Sequence, residues 1–182
     1  MSSSRRPLRI LLAVLVFAAL APALSACGWS SDSKSVAEGE PVKLGDVQYK
    51  VVFSRLLNPN DAEDSAYLVG QPAPPRNGSY FGVFMQVENG AKAPRRLPAS
   101  MTITNAEHQV YTAVPTKSLY AFPLGGSVGA EDQLPILDST PQQGPIEGSL
   151  VLFRLPDSTS DNRPLTLRIP GQDGPAKVKL DL

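Results

Sequence analysis

Cysteine and histidine, on which many catalytic and metal sites depend, each occur only once in this chain of 182 residues. The single cysteine, Cys27, cannot form an intramolecular disulfide bond. A serine or cysteine hydrolase would have to use His108 as its base. His108 lies in the stretch Asn105–Gln109, whose composition predicts a solvated hairpin turn rather than a catalytic cleft. We therefore expect no catalytic residues and no cofactor.

Long hydrophobic runs are also lacking, with one exception near the N-terminus. Residues 1–9 carry three arginines and no acid, Ile10–Leu20 is uninterruptedly apolar, and small residues follow it. A basic segment, a short apolar run and a small-residue cleavage site are typical of a signal peptide. The run is shorter than the ~20 residues that span a bilayer. The sequence predicts a cleaved signal peptide over residues 1–26, with an uncleaved anchor helix as the alternative and with Sec and twin-arginine export both open.

The segment Leu24-Ser25-Ala26-Cys27 resembles the lipobox of bacterial lipoproteins. In that family the chain is cut directly before the cysteine, here between Ala26 and Cys27, and the cysteine thiol is diacylated. The resemblance implies that lipid on Cys27 anchors the protein to the extracytoplasmic face of the cell membrane. Each buried methylene contributes ~0.8 kcal/mol, so two or three acyl chains hold a protein where one holds only marginally.

The charge balance changes when the predicted signal is removed. Residues 1–26 contain three of the 17 basic residues, which leaves 14 against 17 acidic ones, a net charge of −3. A nucleic acid or an anionic lipid surface would require a basic excess, so neither is expected as a partner. Residues 27–40, rich in Ser, Asp, Lys and Glu, predict a short flexible tether.

From Pro41 onward the apolar residues alternate with period two, as in half-buried antiparallel strands. Of the 18 prolines and 14 glycines of the chain, 16 and 12 lie in this part, mostly between these runs. No window of ~11 residues has helical periodicity with caps. The sequence predicts an all-β fold, a single antiparallel β-sandwich over residues 41–182. Leu150–Phe153, apolar on both faces, predicts a central strand. The alternating sets are Val47, Tyr49, Val51 and Phe53; Phe81, Val83, Met85 and Val87; Met101 and Ile103; Leu165, Leu167 and Ile169; and Val178, Leu180 and Leu182.

Two of these strands carry a family resemblance. Tyr80–Asn89, followed by the Pro-containing turn Ala93-Pro94, and Gly148–Pro156 resemble motifs of the exported immunoglobulin-like lipoproteins of the DUF4352 or telokin-like group. The resemblance covers about residues 41–182 and implies an immunoglobulin-like sandwich. Its motifs are structural, so it carries fold rather than activity.

Two connections are longer than plain turns, residues 58–77 and 115–146, and long loops on a rigid sandwich often carry binding sites. Their apolar residues form either a satellite core or an exposed interaction patch for a protein of the cell envelope. The basic pair Arg95 and Arg96 is interpreted as a solvated guard of a strand edge. The candidate patch consists of Tyr67, Leu68, Tyr120, Phe122 and Leu124.

No metal site is predicted outright, but two weak candidates exist. Asp61, Glu63 and Asp64 could offer oxygen ligands to calcium, although Asp61 could equally cap a short helical turn. Met85, Met101 and His108 could bind copper, although the methionines suit a core equally well.

The functional prediction combines these features. It is a non-catalytic, membrane-tethered lipoprotein that binds or assists an envelope component. The alternative is a small-molecule or metal-binding (calcium or copper) lipoprotein that serves a membrane system.

Overall fold

The computed structural model describes residues 34–181. The predicted signal peptide, its cleavage between Ala26 and Cys27, and the lipid on Cys27 lie outside these residues. No helix in the described range has the length and apolar character to cross a membrane. The elements are β1 (Lys34–Ala37), β2 (Pro41–Leu44), β3 (Val47–Leu57), α1 (Ala62–Tyr67), β4 (Gly78–Asn89), β5 (Arg95–Arg96), β6 (Thr102–Thr104), β7 (Val110–Thr112), β8 (Ser127–Val128), β9 (Gln133–Leu134), α2 (Thr140–Gln143), β10 (Ser149–Pro156), a 3₁₀ helix (Asp157–Ser160), β11 (Leu165–Ile169) and β12 (Ala176–Leu180).

The strands form two five-stranded sheets packed face to face. Sheet I has the order β1-β12-β11-β6-β7, and sheet II has the order β10-β4-β3-β2 with β9 paired to β4. A small ribbon of β5 and β8 lies beside them. All pairings are antiparallel except that of β1 with β12. The predicted all-β, antiparallel sandwich is confirmed.

The main core lies between the two sheets. The alternation predicted for β4 is confirmed: Phe81, Val83, Met85 and Val87 all point into this core. Sheet I faces them with Met101 and with the inward residues of β6, β11 and β12. Because successive side chains of a strand point to opposite faces, one apolar set per strand suffices to build this layer.

A β-bulge in β3 makes one sequence prediction wrong. Val51 pairs with Met85 and Phe53 pairs with Phe84, so Val52 is an extra residue between them. One extra residue moves every following side chain to the other face. Phe53 therefore leaves the predicted core set and is 44% exposed, whereas Ser54 is buried.

The predicted tether is also too long. Lys34–Ala37 forms β1 and pairs in parallel with β12, although residues 27–40 were expected to be flexible. Glu38 fixes the following turn, because its carboxylate accepts from the Ser54 hydroxyl at 2.6 Å and from the Asp181 backbone N–H at 3.0 Å. The sandwich therefore begins at residue 34, and polar composition alone did not reveal an edge strand held by backbone pairing.

Strand β10 is apolar on both faces but is not central. It ends the strand order of sheet II. Its outer edge is covered by backbone of the second long connection and of the residue before it: Val114 N–H donates to the Leu152 carbonyl at 2.8 Å, and Phe122 N–H to the Leu150 carbonyl at 2.8 Å. The prediction of a central strand is wrong in topology, because a loop rather than a strand satisfies this edge.

The two ends of the sandwich differ in what they carry. The end at which the described chain begins, here called the proximal end, contains the start of β1, the β2–β3 turn and the β11–β12 turn. Lys34 pairs with Ala176, and its ammonium donates to the Lys43 carbonyl at 2.6 Å. The opposite, distal end contains the β6–β7 hairpin at residues 105–109, as predicted, and the end of β3 that leads into α1.

Candidate functional site

The two long connections lie together on the outer face of sheet II. This face is apolar as well as the inner one, because β4 and β10 place large side chains on both sides. Residues from the connections cover it and form a second core, here called the outer-face cluster. Its buried members are Leu57, Tyr67, Leu68, Tyr80, Phe84, Leu150 and Leu152, with Val114, Tyr120 and Ile146 packed against them.

Tyr67 is the centre of the outer-face cluster. Its side chain is fully buried and meets Phe84 and Tyr120 edge to face, with ring centroids 4.9 and 4.8 Å apart. Burial and the neighbouring Glu63 carboxylate raise the pKa of its hydroxyl, so the phenol stays protonated. Aromatic pairs in this geometry contribute beyond their buried area.

Hydrogen bonds join the two connections directly. The Ser118 hydroxyl donates to the Ala66 carbonyl at 2.8 Å, and the Thr116 hydroxyl donates to the Tyr67 carbonyl at 3.3 Å. The Gln71 amide donates to the Pro115 carbonyl at 2.7 Å. The two connections thus form one packed layer.

The prediction that these loop residues form an exposed interaction patch is therefore wrong. Tyr67, Leu68 and Phe122 are buried, and Tyr120 and Leu124 are partly buried. Phe122 and Leu124 pack with the main core rather than with the outer-face cluster. The apolar outer face of sheet II explains this outcome. Burying that face is favourable, and apolar residues of the long connections cover it.

The candidate calcium ligands are engaged in stabilising α1. Asp61 is the N-cap, and its carboxylate accepts from the backbone N–H groups of Glu63 and Asp64 at 2.9 and 3.1 Å. Asp64 is buried, accepts from the Asn58 N–H at 2.7 Å and pairs with Arg55, which also bonds Glu63 at 3.0 Å. The oxygens proposed for calcium thus already have partners in a cap and an ion-pair network.

The candidate copper ligands are not arranged as a site. Met85 and Met101 are fully buried in the main core, whereas His108 is exposed in the β6–β7 turn with a φ of 63°. Among residues 34–181, no group of three or more His, Cys, Asp or Glu side chains is placed to hold a metal ion.

The larger cleft in the described structure opens at the proximal end. It has a volume of about 420 Å³ and lies between the β2–β3 turn, β5 and the β11–β12 turn. We call it the proximal cleft. Its lining combines apolar residues with charges of both signs: Leu44, Gly45, Asp46, Val47, Tyr49, Arg95, Arg96, Leu97, Pro98, Pro170, Gly171, Gln172 and Asp173.

The charges of the proximal cleft are only partly neutralised. Arg95 bonds one carboxylate oxygen of Asp46 through two nitrogens, at 2.6 and 3.0 Å. Arg96 and Asp173 make no ion pair or side-chain hydrogen bond with any residue in the range 34–181. Burial raises the pKa of the Tyr49 hydroxyl to about 12, so Tyr49 contributes a neutral phenol to the lining.

The position of β5 in this cleft depends on Asn89, the last residue of β4. Its buried side-chain amide donates to the carbonyls of Ala93 and Gly129 at 2.9 and 2.5 Å and accepts from the Ala91 N–H at 3.0 Å. Asn89 thereby fixes both the turn before β5 and the segment that follows β8. Asn89, the last residue of the motif Tyr80–Asn89, therefore has a structural role in holding these two segments.

Sequence reasoning missed this cleft. It interpreted Arg95 and Arg96 as a solvated edge guard, and it gave the segments 44–49 and 170–173 no functional role. The only local signal is a basic pair at a turn, and nothing in the sequence shows that three separated segments meet there.

A smaller cleft of about 190 Å³ lies against the outer face of sheet II, on β3, β4 and β9. Its lining is mainly polar, with Lys50, Glu88 and Glu147 as the charged residues.

No protein-family profile and no curated protein matches the chain. Among solved structures, it is similar to an uncharacterised β-sandwich protein of Clostridium difficile 630, with a TM-score of 0.48, 12% identity, and coverage of 82% of this chain and 95% of that one. It is similar to the secreted protein MPT63 of Mycobacterium tuberculosis, with a TM-score of 0.48, 12% identity, and coverage of 82% and 99%. It is also similar to ycdA of Bacillus subtilis subsp. subtilis str. 168, described as a "putative lipoprotein", with a TM-score of 0.48 and 11% identity over 80% of this chain and 39% of that one.

Proposed function

We propose that this protein is a non-catalytic lipoprotein, held by lipid on Cys27 at the extracytoplasmic face of the cell membrane, that binds an envelope component in the proximal cleft. Its folded part is a β-sandwich of the DUF4352 or telokin-like kind. The observation that carries the proposal is the position of this cleft, which opens at the end of the sandwich where β1 begins at Lys34.

The anchor is supported by the sequence. A basic segment, an apolar run, the string Leu24-Ser25-Ala26-Cys27 and the absence of any other cysteine all agree with lipidation at this residue. Since the first strand begins at Lys34, only six residues separate Cys27 from the sandwich.

The binding role is supported by the state of the other residues that the sequence offers for binding. Tyr67 and Tyr120 pack in the outer-face cluster and Phe122 packs in the main core, while the acids of α1 are engaged in its cap and ion pairs. The proximal cleft keeps two charged side chains that lack a partner within the described residues. Buried or half-buried clefts that combine apolar walls with a few polar groups are the usual form of ligand sites.

The anchor and the site are tested separately. Fractionation of Cys27→Ser should move the protein from the membrane to the soluble extracytoplasmic fraction, and unchanged membrane association would refute lipidation there. For the site, a photo-reactive amino acid is placed at Gln172 on the cleft and, as the matched control, at Glu107 in the distal β6–β7 turn. We expect irradiation of intact cells to give a discrete cross-linked product from position 172 and none from position 107. The same products from both positions would refute a binding role for the cleft.

A further inference from the structure

The proximal cleft carries one unpaired charge of each sign. Of its four ionised side chains, Arg95 and Asp46 neutralise each other at 2.6 Å. The other two, Arg96 on β5 and Asp173 in the β11–β12 turn, line the same cleft without pairing with each other or with another residue in the range 34–181. Two opposite charges that share a cleft but do not meet are complementary to a ligand that carries both signs.

Both charges are presented by well-fixed elements. Arg96 lies in the β5–β8 ribbon, which is held by the buried Asn89 amide. The turn that bears Asp173 packs on the end of β2: a Cβ at Gly171 would lie 2.7 Å from the Gly174 carbonyl and 3.0 Å from the Leu44 side chain. Glycine is therefore required for this close approach, which fixes the backbone of the turn that bears Asp173 against β2.

The cleft also has apolar walls. Leu44, Val47, Leu97, Pro98 and Pro170 line the cleft. An apolar portion of the ligand would gain about 25 cal/mol for each Å² that it removes from water against these residues. A ligand that carries both charges and an apolar portion fits this lining better than a free ion does.

The position of the cleft indicates where a ligand with both charges would come from. A chain of seven residues reaches at most about 25 Å when fully extended. Cys27 and Lys34 are seven positions apart, and Lys34 begins at the proximal end. If lipid anchors Cys27, the cleft is thus confined to the vicinity of the membrane surface, within reach of lipid head groups that carry charges of both signs.

We propose that the proximal cleft binds an aminophospholipid head group, with the phosphate at Arg96, the primary ammonium at Asp173 and the start of the acyl region against Leu44 and Pro170. The proposal rests on the proposed function, because it takes the same cleft as the binding site and Cys27 as the anchor. It agrees with the net charge of −3, since binding of one zwitterion needs no basic surface.

The test titrates the mature, lipidated chain in a neutral detergent with short-chain lipids. The probes are phosphatidylethanolamine, phosphatidylglycerol, which lacks the ammonium, phosphatidylcholine, whose methylated ammonium donates no hydrogen bond, and free phosphoethanolamine, which lacks the acyl chains. We expect saturable binding of phosphatidylethanolamine, at least tenfold tighter than that of the other three. Tighter or equal binding of free phosphoethanolamine would identify a soluble zwitterion as the ligand and overturn the lipid assignment.

Two variants test which group of the lipid each charged side chain binds. Arg96→Gln should weaken phosphatidylethanolamine about tenfold or more through loss of the phosphate contact. Asp173→Asn should abolish the preference for phosphatidylethanolamine over phosphatidylglycerol. The matched controls are Arg168→Gln on the outer face of sheet I and Glu107→Gln in the distal turn, both exposed and outside the cleft. Equal losses in the controls, or an unchanged preference in Asp173→Asn with unchanged thermal unfolding, would overturn the proposal.

The outcomes also separate this inference from the proposed function. If position 172 cross-links to an envelope component but no lipid probe binds, the cleft is a binding site for another ligand and this inference fails alone. If neither occurs, both proposals fail.

Discussion

The outer-face cluster contains residues that the sequence offers as a binding patch, whereas the proximal cleft consists of residues to which the sequence gives no binding role, and the fold reverses this order by burying the first set and leaving the charges of the second at the surface. The cluster uses aromatic residues of two long connections, and the fold buries them against the outer face of sheet II. The cleft uses a basic pair and two short turns, and the fold leaves two of its charges without partners in the described range.

The aromatic residues are buried and the charged residues stay exposed because their free energies of transfer from water differ. Apolar side chains gain free energy by leaving water, so an aromatic residue in a loop is drawn onto any apolar face within reach. Charged side chains pay a desolvation cost on burial and stay at the surface unless they find partners. In the proximal cleft, charged side chains therefore stay at the surface beside apolar residues that belong partly to the main core.

Among substitutions that test the difference between the two regions, Tyr67→Ala is expected to change stability most. Removal of a fully buried aromatic ring that contacts Phe84 and Tyr120 should lower the free energy of unfolding by about 3–5 kcal/mol. Chemical denaturation measures this change, and Leu119→Ala is the control, because Leu119 lies in the same connection but is 78% exposed. Equal stability of the two variants would show that the cluster is not a core.

A smaller change in stability is expected at high pH from ionisation of Tyr49, whose ring belongs to the main core. Burial raises its pKa from about 10, the ordinary value for tyrosine, to about 12. Between pH 10 and 12 the unfolded chain therefore releases the phenolic proton while the folded chain keeps it, so stability is full below pH 10 and falls above it. Two pH units correspond to at most about 3 kcal/mol, and the loss is smaller because solvent in the cleft screens the phenolate. Denaturation curves of the parent and of Tyr49→Phe should diverge over this range, and parallel curves would contradict the buried, proton-retaining phenol.

Asp64→Asn should lower the free energy of unfolding by about 2 kcal/mol. The substitution leaves Arg55 without its buried partner, but the Arg55 side chain is 30% exposed and can regain water, which limits the cost. The measurement is again denaturation, with Asp61→Asn as the control because asparagine also caps helices well. A loss in Asp61→Asn as large as that in Asp64→Asn would place the stabilising role in the cap rather than in the ion pair.

The smallest effect is expected in the cleft itself. Arg96→Gln should change the free energy of unfolding by less than about 0.5 kcal/mol, because the exposed side chain has no partner among residues 34–181. A large loss of stability would show that Arg96 is structural and would remove the contrast between the two regions.

Period-two alternation predicted the strands well where one face of a strand is polar, as in β11 and β12, because half-burial determines that pattern. It failed at Phe53, since a bulge depends on how β3 meets β4 and leaves no mark in the alternation. It also missed β1, a strand of four residues in which only Val36 packs against the main core.

The site was less predictable than the fold. The cap at Asp61 could be anticipated, because helix capping is local. Whether Tyr67 and Tyr120 were core or surface depended on a second apolar face that only the folded sheet reveals. The proximal cleft brings together Leu44, Arg96 and Asp173, and no local rule connects residues so far apart in the chain.

The central claim, that ligand binds at the proximal cleft and not at the long connections, is tested most directly by hydrogen–deuterium exchange of the mature, lipidated chain with and without short-chain phosphatidylethanolamine. We predict slower exchange of backbone amides at residues 44–49, 95–98 and 171–174, and unchanged exchange at residues 62–68 and 116–122. Protection confined to the latter two segments would contradict the account.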